Sequence, residues 1–321
     1  MAKLNGPLFS LKASGKLNKL LTYKTRKGRA HVGKYTNRGI KNITEPSMSQ
    51  VDKRNLYRLI LIAWQNKTPT EKNVFNDLVK EKNLPMSGFN YFVKVSTKTP
   101  CDYAGLVQAY FFNQVVNGKV IDYGCSSDLD LKPTYPSNIP TLEQNTNIKT
   151  GKSINFDYID DYALAPYNSK MNTPYFTICA WITPKSNNTL NYYLIRRTTT
   201  NIGFILLALS AQNEMIWDTY RNNVQSRATV VNFWTTLNVP HFVVLQLSST
   251  FKRMYVNGVQ KYNSTIVFGP NDSATNDLLI ARNSVIIAQY GNFKMDTYLH
   301  YNRILTTTEL SAIMRATDPR K

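Results

Sequence analysis

Met254-Tyr255-Val256-Asn257-Gly258-Val259 reads as two strands joined by a two-residue turn. Asn-Gly between alternating apolar residues favours a type I′ hairpin, because that turn needs positive φ at both central positions. Working outward from it, period-two alternation with turn punctuation recurs over residues 106–112, 153–156, 176–182, 193–196, 203–209, 242–247, 252–256, 278–281 and 291–301. Strands in such number and spacing form an antiparallel β-sandwich. Trp181 falls on the apolar face of one of them, and residues 307–315 read as a short terminal helix with Leu310 and Ile313 inward. The stretch 125–152, rich in Pro, Ser, Thr and Asn, reads as surface loop.

Before Thr99-Pro100 the period changes. Ser47-Met48-Ser49-Gln50 has the spacing of a capping box, and Leu56, Leu59, Ile60 and Ala63 recur at helical intervals up to Trp64. Thr68-Pro69-Thr70-Glu71 supplies an N-cap, a proline at the first helical position and a carboxylate at the third. Val74, Phe75, Leu78 and Val79 make the next apolar stripe, which Asn83-Leu84-Pro85 ends. The expected unit is an α-helical hairpin with Phe89, Tyr91 and Phe92 as a lid. Residues 4–35 mix apolar pairs with glycines and basic residues and read as an extended arm, with a hairpin turn around Arg26-Lys27-Gly28. The division expected is therefore a basic extended arm at 1–43, a helical docking module at 44–100 and a β-sandwich at 101–321.

The formal charge of +19 is concentrated at one end. Residues 1–100 hold 20 Lys or Arg against 5 Asp or Glu, a net of +15, whereas residues 101–321 hold 19 against 15, a net of +4. The arm has basic residues and no acidic one up to Lys41, which suits a negative partner, either nucleic acid or an acidic protein surface. Three cysteines without Cys-x-x-Cys spacing, and only three histidines, argue against zinc and against a disulfide framework. No apolar run makes a signal peptide or approaches the roughly 18 residues of a membrane span. Cytosolic synthesis is the expectation, without membrane contact.

Two resemblances sharpen this reading. Gly105-Leu106-Val107 with Ala109-Tyr110, Phe156-Asp157-Tyr158-Ile159-Asp160-Asp161-Tyr162, Phe176-Thr177-Ile178-Cys179-Ala180-Trp181-Ile182, the Asn257-Gly258 hairpin, and Tyr301-Asn302-Arg303-Ile304-Leu305-Thr306 with Glu309-Leu310 follow one another in order and spacing. Together they resemble the laminin G-like, concanavalin A-like lectin family, which implies a jelly-roll sandwich built for binding. Ala13-Ser14-Gly15-Lys16-Leu17 leading to Leu21-Thr22-Tyr23, Ala63-Trp64-Gln65 followed by Thr70-Glu71-Lys72, and Leu84-Pro85-Met86-Ser87-Gly88-Phe89-Asn90-Tyr91-Phe92 are similar to the N-terminal module of tailed-bacteriophage structural proteins. That likeness implies a virion component, with major capsid or portal and tail proteins as partners.

Chemistry-bearing constellations are sparse. Asp157, Asp160 and Asp161 cluster around an expected turn, where Asp is favoured for local backbone bonding, and no strand shows the paired carboxylates of a glycosidase. His31, His241 and His300 accompany no nucleophile motif, and there is no Gly-rich phosphate loop. The chain is therefore expected not to be an enzyme. The lectin resemblance implies Ca2+ at the rim, where Asp161 and Asp296 match acidic positions of the family pattern; no other cofactor is called for. Tyr192, Tyr193, Trp217, Tyr220 and Trp234 are by composition the rings that could stack on a sugar. Lys12, Lys16, Lys19, Tyr23, Lys24, Arg26, Lys27, Arg29, Lys34 and Tyr35 are the arm's candidate partner contacts. Basic residues interleaved with aromatics suit single-stranded nucleic acid or threading between virion subunits, and the phage likeness favours the second. The resulting expectation is a virion structural protein, whether capsid decoration, head fibre or tail-associated adhesin, that anchors by its N-terminal end and displays a lectin-like domain to a glycan or protein. An internal DNA-contacting protein is the alternative, and a polysaccharide hydrolase a distant third.

Overall fold

The structure, a computed structural model, describes residues 15–17, 21–26, 29–34, 47–131, 139–145, 151–173, 175–185, 191–197, 203–209, 214–221, 224–234, 236–265, 275–283 and 290–320. The chain forms two compact units, residues 1–45 and 46–321. In the first, β1 (Gly15–Leu17), β2 (Leu21–Arg26) and β3 (Arg29–Lys34) make an antiparallel sheet in that order. β2 and β3 pair antiparallel with Arg26 opposite Arg29 and Lys24 opposite His31, while Lys27 and Gly28, where the turn is expected, lie outside the described residues. The arm thus departs from a lone extended chain, because its strands satisfy backbone donors and acceptors on one another.

The second unit opens with α1 (Met48–Gln65), where Ser47 and Gln50 close the capping box reciprocally at 3.3 and 3.2 Å. Thr68 and Glu71 do the same for α2 (Pro69–Glu81). The expected lid is itself a helix, α3 (Gly88–Ser96), so the hairpin becomes a three-helix layer. Ring centroids of Phe92 lie 5.2 Å from Trp64 and 5.1 Å from Phe75, which places α3 against both neighbours. A short α4 (Pro100–Tyr103) leads into the strands, and α5 (Thr307–Ala316) closes the chain beside α1.

The strands are β4 (Leu106–Tyr110), β5 (Lys119–Val120), β6 (Leu129–Leu131), β7 (Thr141–Gln144), β8 (Lys152–Asp157), β9 (Ala163–Ala165), β10 (Phe176–Pro184), β11 (Asn191–Arg197), β12 (Gly203–Leu209), β13 (Glu214–Arg221), β14 (Val224–Val230), β15 (His241–Leu247), β16 (Lys252–Val256), β17 (Val259–Ser264), β18 (Leu278–Ile280) and β19 (Asn292–Tyr301). They build two antiparallel sheets, one in the order β17-β16-β15-β10-β19-β8-β7 with β4 also on β19, the other β14-β13-β12-β11-β18-β9-β6-β5. The β16–β17 hairpin turns on Asn257 at φ 50° and Gly258 at φ 82°, the two positive angles its sequence requires. The stretch expected to be plain loop carries β6 and β7, the latter pairing with β8.

β10 shows why the sandwich and the helices are one body. Ile178, Ala180 and Ile182 point into the core between the sheets. Cys179 and Trp181, on the opposite face, pack under the helices with Leu59, Ile60, Phe92 and Ile313. Both faces of the strand are covered, so residue 100 does not separate two compact units. A polar pin adds to this joint. Asp52 of α1, 2% exposed, accepts hydrogen bonds from Asn113 Nδ2 at 2.6 Å, Tyr123 OH at 3.1 Å and Gln114 Nε2 at 3.2 Å. Contrary to expectation, Cys101 and Cys125 form a disulfide, with Cα atoms 5.9 Å apart, and Cys179 is the free, buried thiol.

Candidate ligand site

Of the five aromatics proposed for sugar stacking, the four whose side chains are described are buried and not available for it. Tyr193 and Trp217 are 0% exposed in the inter-sheet core, and Tyr193 lies 4.7 Å from the Phe293 ring. Trp234 joins the same core, and Tyr220 packs on the other face of its sheet with Ile205, Leu207 and Ile216. The side chain of Tyr192 lies outside the described residues. Core packing thus takes each described ring: period-two placement on β11 and β13 turns Tyr193, Trp217 and Tyr220 inward or against apolar neighbours, and Trp234 enters the core from beyond β14.

Asp161 and Asp296 do not converge. Asp296, on β19, lines a cleft of about 610 Å³ with Val51, Asn55 and Arg58 of α1 and Arg315 of α5. It accepts from Asn145 Nδ2 at 2.6 Å and Thr297 Oγ1 at 2.7 Å, and burial pushes its pKa up to about 7. Asp161 instead meets Asp157 and Asp160 in the β8–β9 loop. Of the arm candidates, Lys16, Tyr23, Lys24, Arg26, Arg29 and Lys34 lie on β1 to β3. Lys12, Lys19, Lys27 and Tyr35 fall outside the described residues.

The β8–β9 loop is the place where the described residues converge on a chemistry. Asp157 ends β8 and its Oδ1 accepts the Ile159 N–H at 2.9 Å, while the Tyr158 N–H donates to Gly291 O at 3.1 Å. This Asx turn holds Tyr158 at φ 76°, a left-handed conformation that a ring-bearing residue adopts at a cost. Tyr158 and Ile159 are 39% and 73% exposed, so an aromatic and an aliphatic side chain stand in solvent at the turn. Below them one carboxylate oxygen each from Asp157, Asp160 and Asp161 lies within 4.8 Å of the others. One Ca2+ with oxygen ligands at roughly 2.3–2.6 Å spans that spacing, so the residues fit the ion that the lectin resemblance implies. Two cationic side chains border the loop. Arg282 lies 4.5 Å over the Tyr162 ring. Lys185 is drawn down in pKa by burial, and the carboxylates of Glu143, Asp157 and Asp161 oppose that shift. Sequence reasoning noticed the aspartates but passed over Tyr158, Ile159 and Lys185. The signal for the first two was an apolar pair inside a turn where polar residues are the rule.

Residues 157–311 match the family model described as the concanavalin A-like lectin/glucanases superfamily. Solved structures that share the fold include the following three. The binding domain of Paraclostridial Mosquitocidal Protein 1 superposes with a TM-score of 0.51 at 14% identity, over 64% of this chain and 51% of that one. The binding domain of botulinum neurotoxin DC, in complex with rat synaptotagmin II, gives 0.50 at 13% identity, over 67% and 52%. Domain 4 of AbnA, a GH43 extracellular arabinanase from Geobacillus stearothermophilus, in complex with arabinotriose, gives 0.51 at 14% identity, over 65% and 97%. The chain spans about half the length of the two toxin binding domains. No curated protein sequence matches it. The C-terminal part is therefore a laminin G-like sandwich of the concanavalin A-like lectin fold.

Proposed function

We propose that the chain is a virion structural protein whose sandwich binds a glycan or a protein through the β8–β9 loop, and that it acts by binding rather than by catalysis. The observation that carries the binding reading is the pairing of exposed Tyr158 and Ile159 with three converging carboxylates on one strained turn. An aromatic face and a bound cation together supply what a sugar needs, a stacking surface and a charge to order its hydroxyls. A protein surface could be gripped by the same two exposed side chains. The virion part rests on the likeness of the N-terminal segments to tailed-phage structural proteins, with major capsid or portal and tail proteins as the anchoring partners. An internal DNA-contacting role is second to it and rests on the basic charge of the first hundred residues alone. Mass spectrometry of purified particles tests the virion part, and particles without the chain would remove it.

Two outcomes are expected for the loop. Calorimetric titration of the full chain with Ca2+ shows one site, and Asp160→Asn with Asp161→Asn weakens it by about tenfold or more, equivalent to ~1.4 kcal/mol. Glycan-array signal falls when the ion is chelated. Binding that persists unchanged in the double variant and in chelator would place the ligand elsewhere. The second concerns strain. Tyr158→Gly relieves the left-handed residue and raises stability by about 1 kcal/mol, while ligand binding drops. A variant that gains stability and keeps full binding would show that the ring is not a contact.

A further inference from the structure

Beside this loop four side chains from four neighbouring segments meet. Asn155 of β8 stands opposite Thr141 of β7 on one side and Lys294 of β19 on the other, and Glu143 lies two residues along β7 from Thr141. Lys185 follows the end of β10, with its N–H donating to Asn292 O at 3.3 Å. The Lys185 Nζ donates a hydrogen bond to Asn155 Oδ1, which brings it beside the side-chain amide. Lys294 forms an ion pair with Glu143, whose side chain is 37% exposed, and Glu143 is also the strongest charged neighbour acting on Lys185.

We infer that Lys185 and Asn155 form an intramolecular isopeptide bond, with Glu143 as the carboxyl that moves the protons. An amine attacks a primary amide only when it is neutral and held against the carbonyl carbon, with an acid to protonate the departing nitrogen. Each requirement has a residue here. The hydrogen bond to Oδ1 brings the Lys185 nitrogen beside the amide carbon one bond away, partial burial favours its neutral amine, and Glu143, held by Lys294, is the carboxylate that acts most strongly on it. In the reaction the Nζ–Cγ bond forms and the Cγ–Nδ2 bond of Asn155 breaks. The Lys185 ammonium gives up two protons, both pass through the Glu143 carboxyl to Nδ2, and that nitrogen leaves as ammonium. No oxidant or cofactor enters the balance. The product ties β8 to the end of β10 across β19, which lies between them in the sheet.

Intact mass spectrometry of the full chain, reduced and denatured, tests this. The expected mass is that of the sequence less one ammonia, and trypsin should release peptides 153–170 and 171–196 joined through Lys185 and Asn155. Lys185→Arg and Asn155→Ala each restore the full mass. Glu143→Gln restores it as well, while the circular dichroism spectrum stays that of the parent. Full mass from folded parent protein, with 153–170, 171–185 and 186–196 released as separate peptides, overturns the inference. So does an ammonia loss that survives in Lys185→Arg, since an Asn257-Gly258 succinimide would give it without any cross-link. Cross-linking of Glu143→Gln at the parent rate removes Glu143 from the reaction.

Discussion

Trp181→Ala is expected to destabilise the second unit by about 3–5 kcal/mol, the range for emptying a fully buried large aromatic site. Trp181 is 1% exposed, its ring lies 5.3 Å from Phe242, and its Nε1 donates to Thr317 Oγ1 at 2.9 Å. Thr317 caps α5, and the Arg320 guanidinium lies 5.2 Å over the indole. The substitution therefore removes the surface on which the end of α5 rests as well as the volume beneath α1. Two readouts follow: a lower urea midpoint, and faster tryptic cleavage at Arg315, which the docked helix protects. Trp181→Phe keeps most of the packing and loses only the indole N–H, so its cost should be about 1–2 kcal/mol. An alanine variant with an unchanged midpoint and an intact C-terminus would show that the helix layer is not fastened through this residue.

Much of the sandwich was legible because its central strands repeat a simple instruction. β10, β15, β16 and β19 alternate or run apolar, and each is present where the period-two pattern places it. The capping boxes at Ser47 and Thr68 were equally plain, since the chemistry of a helix start is local. What escaped was held together by distant partners. β14 buries little beyond Ala228, so Val-Gln-Ser-Arg-Ala-Thr-Val carries no alternation to read. β13 was passed over for its charged ends, and with it the fact that Met215 and Trp217 share the inward face. That omission produced the mistaken sugar-stacking role for Trp217: composition offers a ring, and only strand parity says which way it points. The pairing of Asp161 with Asp296 was unreadable for a related reason. Asp161 and Asp296 match family positions, yet one sits in a loop of three aspartates and the other faces a helix cleft. The disulfide was hidden because an odd cysteine count conceals which two are neighbours.

The last expectation concerns a lysine inside the sandwich, and its sign can be worked through. Lys252 is 1% exposed, with Nζ donating to Trp217 O and Ser226 O at 2.7 Å each and to Thr219 Oγ1 at 3.3 Å. It joins β16 of one sheet to β13 and β14 of the other. Burial pushes its pKa down from 10.5 to about 7, with Asp218 opposing and Arg227 assisting. Between those values the unfolded chain holds a proton that the folded chain has lost, so stability rises with pH, by up to about 1.4 kcal/mol per pH unit. Below about 7 both states are protonated and the full penalty of burying the charge is present. Above about 9 the buried Cys179 thiol, pushed up by desolvation, pulls the other way, because only the unfolded thiol ionises there. Near pH 7 the Asp296 carboxyl, pushed up to about 7 by burial, still holds part of a proton that the unfolded chain has lost and opposes the slope, so the clean window is pH 8 to 8.5. All four tryptophans, Trp64, Trp181, Trp217 and Trp234, belong to the second unit, so their fluorescence in urea reports its unfolding. The parent should gain stability across the window, whereas Lys252→Met should be nearly flat, with only the more weakly shifted Lys185 adding a residual slope of the same sign. A parent curve with no slope, or a methionine variant with the parent's slope, would show that Lys252 keeps its proton in the folded core.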